Sequence, residues 1–305
     1  MGNAKKHHYV PRAYLKYFAV KSGNAYMLNT YDKKTKKKYL LNVNDAAQAR
    51  DYNLIKDVTL GVKLPEGDDL YYEKLYNDVI ESKIPIIINN VVVGCKLIRE
   101  NRPVITHENK RDLARLLVTQ LYRTPLARKM TYELGIPIYE NTMQRAYLTV
   151  SQLNDSKRKK EFMDILNKFE YNDEFVKSLH LDITMSPDRI NNFIDVLVEN
   201  HCWIVYDNVL HSTFPFVTSD NPVTMYNVRC GSFGFEYNGL NNISTVISMP
   251  LTPRYQIALY HKQSLIGMCL PEFDGRSYHI NEPDFVFKQN MMHVEQSYRQ
   301  VYLYG

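Results

Sequence analysis

With 305 residues, 45% hydrophobic and 23% charged, and a net charge of +5, the chain has the balance of a folded soluble protein and the length to bury a substantial core. A pI of about 8.8 permits an anionic partner but falls short of the strongly basic, clustered face of a dedicated duplex-binding domain. Four scattered cysteines, Cys95, Cys202, Cys230 and Cys269, form no Cys-x-x-Cys pair, which argues against zinc ribbons and disulfide frameworks and for reduced thiols in the cytoplasm.

No apolar segment ahead of a cleavage site opens the chain, an expectation against secretion. Tyrosine is abundant, 24 residues against one Trp and 12 Phe. Its ring packs while its hydroxyl stays available for hydrogen bonding, which suits polar clefts as well as half-buried strands. The lysine-rich runs at 32–39 and 156–162 read as a solvated turn and a solvated helix start.

In chain order, the opening "KKHHYVPRAYLKYF" (5–18) is anchored by Tyr9, Val10 and Pro11, and Pro11 is suited to start a helix whose inward residues are Tyr14, Leu15 and Phe18. Residues 24–43 alternate around a lysine-rich turn and predict a β-hairpin, with a third short strand at 49–56. The segment 61–69 reads as a loop leading into a helix. A helix from Leu70 carries Leu75 and Val79 and is broken or restarted near Pro85. The stretch 84–98 reads as a buried helix, too short and too interrupted by Asn89 and Asn90 to span a membrane.

The spacing from Thr106 to Pro125 predicts the clearest helix, capped by Thr106 and striped with Leu113, Leu116, Leu117 and Leu121. Helices follow at 137–150, 156–169, 173–181 and 187–200. Strands are expected at 201–208, 215–220, 245–252 and 254–262, and a last helical stretch at 282–304. The order β, helices, β, helix is that of an α+β fold. One compact domain over 1–305 is expected, with a β-rich part at 1–60, a helical region at 67–200 and a β-rich part with a helix at 201–305. The N-terminal hairpin and the C-terminal strands could share one mixed sheet.

Four stretches put polar residues where packing alone does not explain them. In "HHYVP", neighbouring histidines on an extended chain point to opposite sides, so one faces any shared pocket; His8 is the choice, for proton exchange near neutral pH. In "EKLYNDVIESK" (73–83), Glu73, Asn77 and Glu81 share a helix face. The two carboxylates are about 12 Å apart along the axis, too far to act as a pair on one bond, and a solvated acidic face is the competing reading. Gln120 falls on the apolar stripe of its helix, and Arg123 on the same side. They either satisfy buried backbone groups or line a pocket in which Arg123 grips an oxyanion. In "PFVTSDNPV" (215–223), Asp220 and Asn221 end a strand before Pro222, as an Asx-turn or as a presented carboxylate and amide. Arg254 in "PLTPR" is a further anion contact. Phosphate-binding glycine loops, dinucleotide fingerprints, His-Glu-x-x-His and Gly-x-Ser-x-Gly are all missing, which lowers the weight of ATP-driven and nicotinamide chemistry.

These blocks, "HHYVPRAYLKYF", "YEKLYNDVIESK", "LARLLVTQLYRTP", "FVTSDNPV" and "PLTPR", occur in an order that resembles the family of bacterial proteins called domain of unknown function 4238. The resemblance implies a bacterial or phage-encoded cytosolic protein, and it brings no activity or catalytic residues with it. From the residues themselves the leading expectation is a nuclease-like, metal-assisted hydrolase acting on nucleic acid or another phosphorylated substrate. His8, Glu73 and Asp220 would be catalytic, and Glu81 and Asp220 would hold a divalent metal that lowers the pKa of its water. Arg12, Tyr14, Gln120, Arg123, Asn221 and Arg254 would bind substrate. The alternative is a non-enzymatic module for an anionic ligand or a partner of a defence or toxin system, its carboxylates paired with Arg12 and Arg123. A third reading makes His8, Gln120 and Asp220 a buried structural network.

Overall fold

Residues 6–18 are held in place by strand pairing and burial. The computed structural model describes residues 6–54, 71–97, 102–234 and 237–304. Strand β1 (Lys6–His8) pairs antiparallel with β5 (Gln48–Arg50), and helix α1 (Arg12–Leu15) follows Pro11 directly. Val10, Tyr14, Leu15 and Phe18 are fully buried, so the segment is pinned by its apolar side chains. Next come β2 (Val20–Ser22), β3 (Ala25–Asp32) and β4 (Lys37–Asn42). The β3–β4 hairpin turns at the lysine run, where Asp32 accepts from the backbone N–H groups of Lys34 and Thr35, each at 2.9 Å.

The helical region comprises α2 (Tyr71–Val79), α3 (Ile84–Leu97), α4 (His107–Tyr122), α5 (Pro125–Ser151), α6 (Ser156–Lys168), α7 (Asp173–Met185) and α8 (Pro187–Asn200). The loop expected at 61–69 lies outside the described residues. Thr106 caps α4 through Asn109 N–H, and the stripe of Leu113, Leu116, Leu117 and Leu121 is buried. Helix α5 starts twelve residues before the expected 137 and runs through Pro137. In the turn before that proline, the carbonyls of Thr131 and Tyr132 both accept from the Tyr171 hydroxyl, at 3.1 and 3.0 Å. That side chain supports a helix that a proline would otherwise break.

The last third holds β6 (His201–Asn208), β7 (Thr218–Ser219), β8 (Thr224–Asn227), β9 (Ser232–Phe233), β10 (Thr245–Pro250), β11 (Tyr255–His261), α9 (Leu265–Cys269), β12 (Arg276–Ile280), α10 (Pro283–Gln296) and β13 (Gln300–Leu303). One sheet has the order β12-β6-β11-β10-β8-β9, antiparallel except for the parallel pair β12–β6. Strand β6 is buried at every position. Its alternation divides the interior: Trp203 and Val205 pack with α4 and α8, while Ile204 and Tyr206 pack with Phe216, Ile280 and Val286.

A second sheet joins the N-terminal hairpin to the C-terminal part, with β13 between β3 and β7. The fold thus mixes helices with one mixed sheet and this second, antiparallel sheet of N- and C-terminal strands. The helix expected over 282–304 stops at Gln296 instead, and the chain turns into β13. The cause is Asp220, which takes the N–H groups of Tyr298, Arg299 and Gln300 and so draws those residues out of helical geometry. Among the described residues no helix is long and apolar enough to cross a membrane.

Candidate functional site

The alternation of β1 sends its two histidines to opposite sides. His7 points inward and is 2% exposed. Its Nδ1 accepts the backbone N–H of Asn53 at 3.0 Å, which places the proton of the neutral ring on Nε2, and Nε2 has no partner. Burial holds the His7 pKa below its ordinary value, with the nearby Glu73 carboxylate pulling the other way. Glu73 Oε2 lies 4.0 Å from His7 Nδ1 and accepts from Asn53 Nδ2 at 2.7 Å.

His8 faces a cavity of about 510 Å³ whose wall also contains Lys6, Arg12, Glu73, Lys74, Asn77, Asp78 and Glu81. Its Nε2 is 3.2 Å from the Asn44 carbonyl. Burial first, and the Arg12 charge second, lower its pKa, so the ring is neutral at pH 7 and its Nδ1 is an acceptor. Helix α2 supplies Glu73 and Asn77. The short 3₁₀ turn after it, Glu81–Lys83, brings Glu81 to the same wall.

The charges of that wall differ in how they are engaged. Glu81 Oε1 is 2.6 Å from Nη1 of Arg123, which is 1% exposed and lies over the Tyr76 ring at 4.1 Å. Arg123 also holds the end of α4, where its carbonyl accepts from the Tyr52 hydroxyl at 3.1 Å. Lys6 pairs with Asp45 at 2.8 Å. Arg12 has no carboxylate partner among the described residues; its Nη1 donates to Asn44 Oδ1 at 3.2 Å.

The other expected site residues do not line this cavity. Asp220 is fully buried, and its carboxylate accepts three backbone N–H groups, those of Tyr298, Arg299 and Gln300, each at 2.8 Å. Burial nevertheless pushes its pKa up to about 6. Tyr14 donates to the Pro250 carbonyl at 2.6 Å and meets Thr218 Oγ1 at 2.8 Å. Gln120 Nε2 donates to the Tyr9 carbonyl at 2.9 Å, which fastens α4 to the opening segment.

Asn221 accepts from Thr124 Oγ1 at 3.1 Å and donates to the carbonyls of Val223 and Gln296. Arg254 grips the buried Asp207 with two hydrogen bonds, of 2.6 and 3.0 Å. Glu81 and Asp220 therefore sit in separate networks. Among the described residues no group of three or more His, Cys, Asp or Glu side chains is arranged to hold a metal ion. Lys6, Lys74 and Asp78 line the cavity and were passed over by sequence reasoning, as was Asn53, which lies behind it on Glu73. Nothing in their local pattern sets them apart from strand and helix residues.

No curated protein and no solved structure matches the chain. A family model does match, described as Protein of unknown function (DUF4238), over residues 6–303. That span includes the His8 cavity and the Asp220 network, and the chain belongs to this family.

Proposed function

We propose that the His8 cavity is a binding site for a small anionic ligand, with Arg12 as the charge that meets it and His8 as the neutral hydrogen-bonding partner beside it. The observation that carries this reading is the uneven engagement of the wall. Glu81 is committed to Arg123 and Glu73 to Asn53, and Asp78 accepts from Asn77, whereas Arg12 faces the cavity with only an amide contact. A guanidinium in that situation fits two oxygens of a phosphate or carboxylate.

Titration of the full chain with inorganic pyrophosphate, followed by calorimetry, tests the reading. Saturable binding that weakens at least tenfold in Arg12→Gln is expected, and no binding, or equal binding by the variant, refutes it.

The nuclease-like hydrolase is the second reading, favoured by one observation: the neutral His8 shares its cavity with Glu73 and Glu81, an acid/base set on a bound phosphate. Turnover of single-stranded nucleic acid, with and without added Mg²⁺, lost in His8→Gln while the melting temperature is kept, would favour it over simple binding. Absence of turnover under both conditions leaves the binding module.

A further inference from the structure

A second cavity, of about 540 Å³, shares no lining residue with the first. Its wall holds the tyrosines Tyr52, Tyr132 and Tyr298, the cations Arg128, Lys129 and Lys177, and the carboxylates Glu133, Asp173 and Glu174. Two of these cations have carboxylates within reach: Lys129 is 3.6 Å from Glu133 and Lys177 is 3.8 Å from Glu174. Arg128 has no carboxylate partner among the described residues. Its guanidinium lies 3.6 Å from the centre of the Tyr52 ring, and Nη1 donates to the Tyr52 carbonyl at 3.0 Å. Nε and Nη2 are buried and meet no acceptor.

Those two atoms form the side edge of the guanidinium, the edge that takes two oxygens of one phosphate or carboxylate in parallel. The neighbouring His180 supplies no counter-charge. It is 2% exposed, and burial together with the Arg128 charge keeps it neutral. Arg123 has a comparably buried edge but has the Glu81 carboxylate 2.6 Å away, whereas no carboxylate answers the charge of Arg128 among the described residues.

We propose that this cavity binds an oxyanion carried on a planar ring, the chemistry of a nucleoside 5′-monophosphate. Arg128 takes the phosphate and Tyr298 takes the base. Nε and Nη2 are covered in the unliganded chain, so binding includes a side-chain shift that brings their edge to the cavity. Tyr298, 51% exposed, is the wall residue free to settle on the ring. The cavity volume is within the range of small-molecule sites.

The test is calorimetric titration of the full chain with AMP, GMP, CMP and UMP, with adenosine and inorganic phosphate as half-ligands. At least one monophosphate should saturate a single site, with both half-ligands at least tenfold weaker. Arg128→Lys keeps the charge and loses the edge, and should weaken binding at least tenfold. Tyr298→Ala, at an exposed position, should weaken it severalfold, and it carries the test should Arg128→Lys fail to fold. Arg12→Gln removes the oxyanion contact of the other cavity, so the same titrations in that variant report this cavity alone and should keep the monophosphate isotherm. The proposal is overturned if none of the four binds, if binding is indifferent to both cavity variants, or if it is lost in Arg12→Gln.

Discussion

The Ser-Asp-Asn-Pro turn and the wall of the His8 cavity look alike as sequence, each a cluster of polar residues set against apolar neighbours, yet they differ in how their valences are filled. At the turn, the Asp220 oxygens receive three N–H groups, and Asn221 is engaged through both its oxygen and its nitrogen. At the cavity, Arg12 is held by one amide and the neutral His8 keeps a ring nitrogen as an acceptor. Filled valences hold a fold together, whereas open ones facing a cavity have something left for a ligand. A buried carboxylate is therefore weak evidence of chemistry until its hydrogen bonds are counted.

The largest effect that would break this contrast is on stability at Asp220. Asp220→Ala leaves three N–H groups at the start of β13 without an acceptor, a loss on the order of 3 kcal/mol or more. A fall in melting temperature of roughly 5 °C is expected for a chain of this size, and a fall below about 2 °C would contradict the structural role. The same carboxyl carries a pH signature. Its folded pKa is raised to about 6, against about 3.9 unfolded, so the native state binds the extra proton between those values. Its contribution to stability is greatest below about pH 4, declines as pH rises through 6, and is level above. Asp32 has the opposite sign. The Arg299 side chain first, then the Thr35 N–H, hold its pKa down to about 2. Its contribution is therefore present above the unfolded value and lost as pH falls through 2. Denaturant unfolding across pH 3–8 should show the pH 4–6 decline in the parent and not in Asp220→Ala.

Next in size is the ion pair behind the cavity. Glu81→Ala strands the buried Arg123 guanidinium, and a cost of about 3 kcal/mol is expected by urea unfolding. Arg123→Met removes the buried charge together with its need for a partner, and should cost less than Glu81→Ala. The reverse order would mean that the Arg123 contact with Tyr76, not the pair, holds the turn after α2. Arg12→Gln comes last for stability, within about 0.5 kcal/mol of the parent, because its side chain is exposed and its one contact is an amide. A large loss there would move Arg12 into the structural class and erase the contrast.

What could be read beforehand follows the range of the forces involved. The β3–β4 hairpin is local, written in alternation and a lysine turn, and α4 is written in Thr106 and a leucine stripe. The opposed faces of His7 and His8 follow from strand geometry alone, and Glu73, Asn77 and Glu81 reach one wall much as their spacing suggests. Long-range partners leave no local trace. The donors to Asp220 are 78 to 80 residues away, and Tyr171 supports the turn before Pro137 from 39 and 40 residues further on. The helix expected through residue 304 fails for that reason, as does the gap left before 137. Asn53, which ties His7 to Glu73, acts through a backbone N–H and an amide whose neighbours only the folded chain reveals.

The most direct measurement is the proton and nitrogen resonance of the His8 imidazole, followed by NMR while inorganic pyrophosphate is added to the full chain at pH 7. The account predicts a saturable shift of the His8 signals in the parent that is absent in Arg12→Gln and retained in Arg128→Lys. His8 signals that stay in place at saturating pyrophosphate, or that move equally in Arg12→Gln, would contradict it.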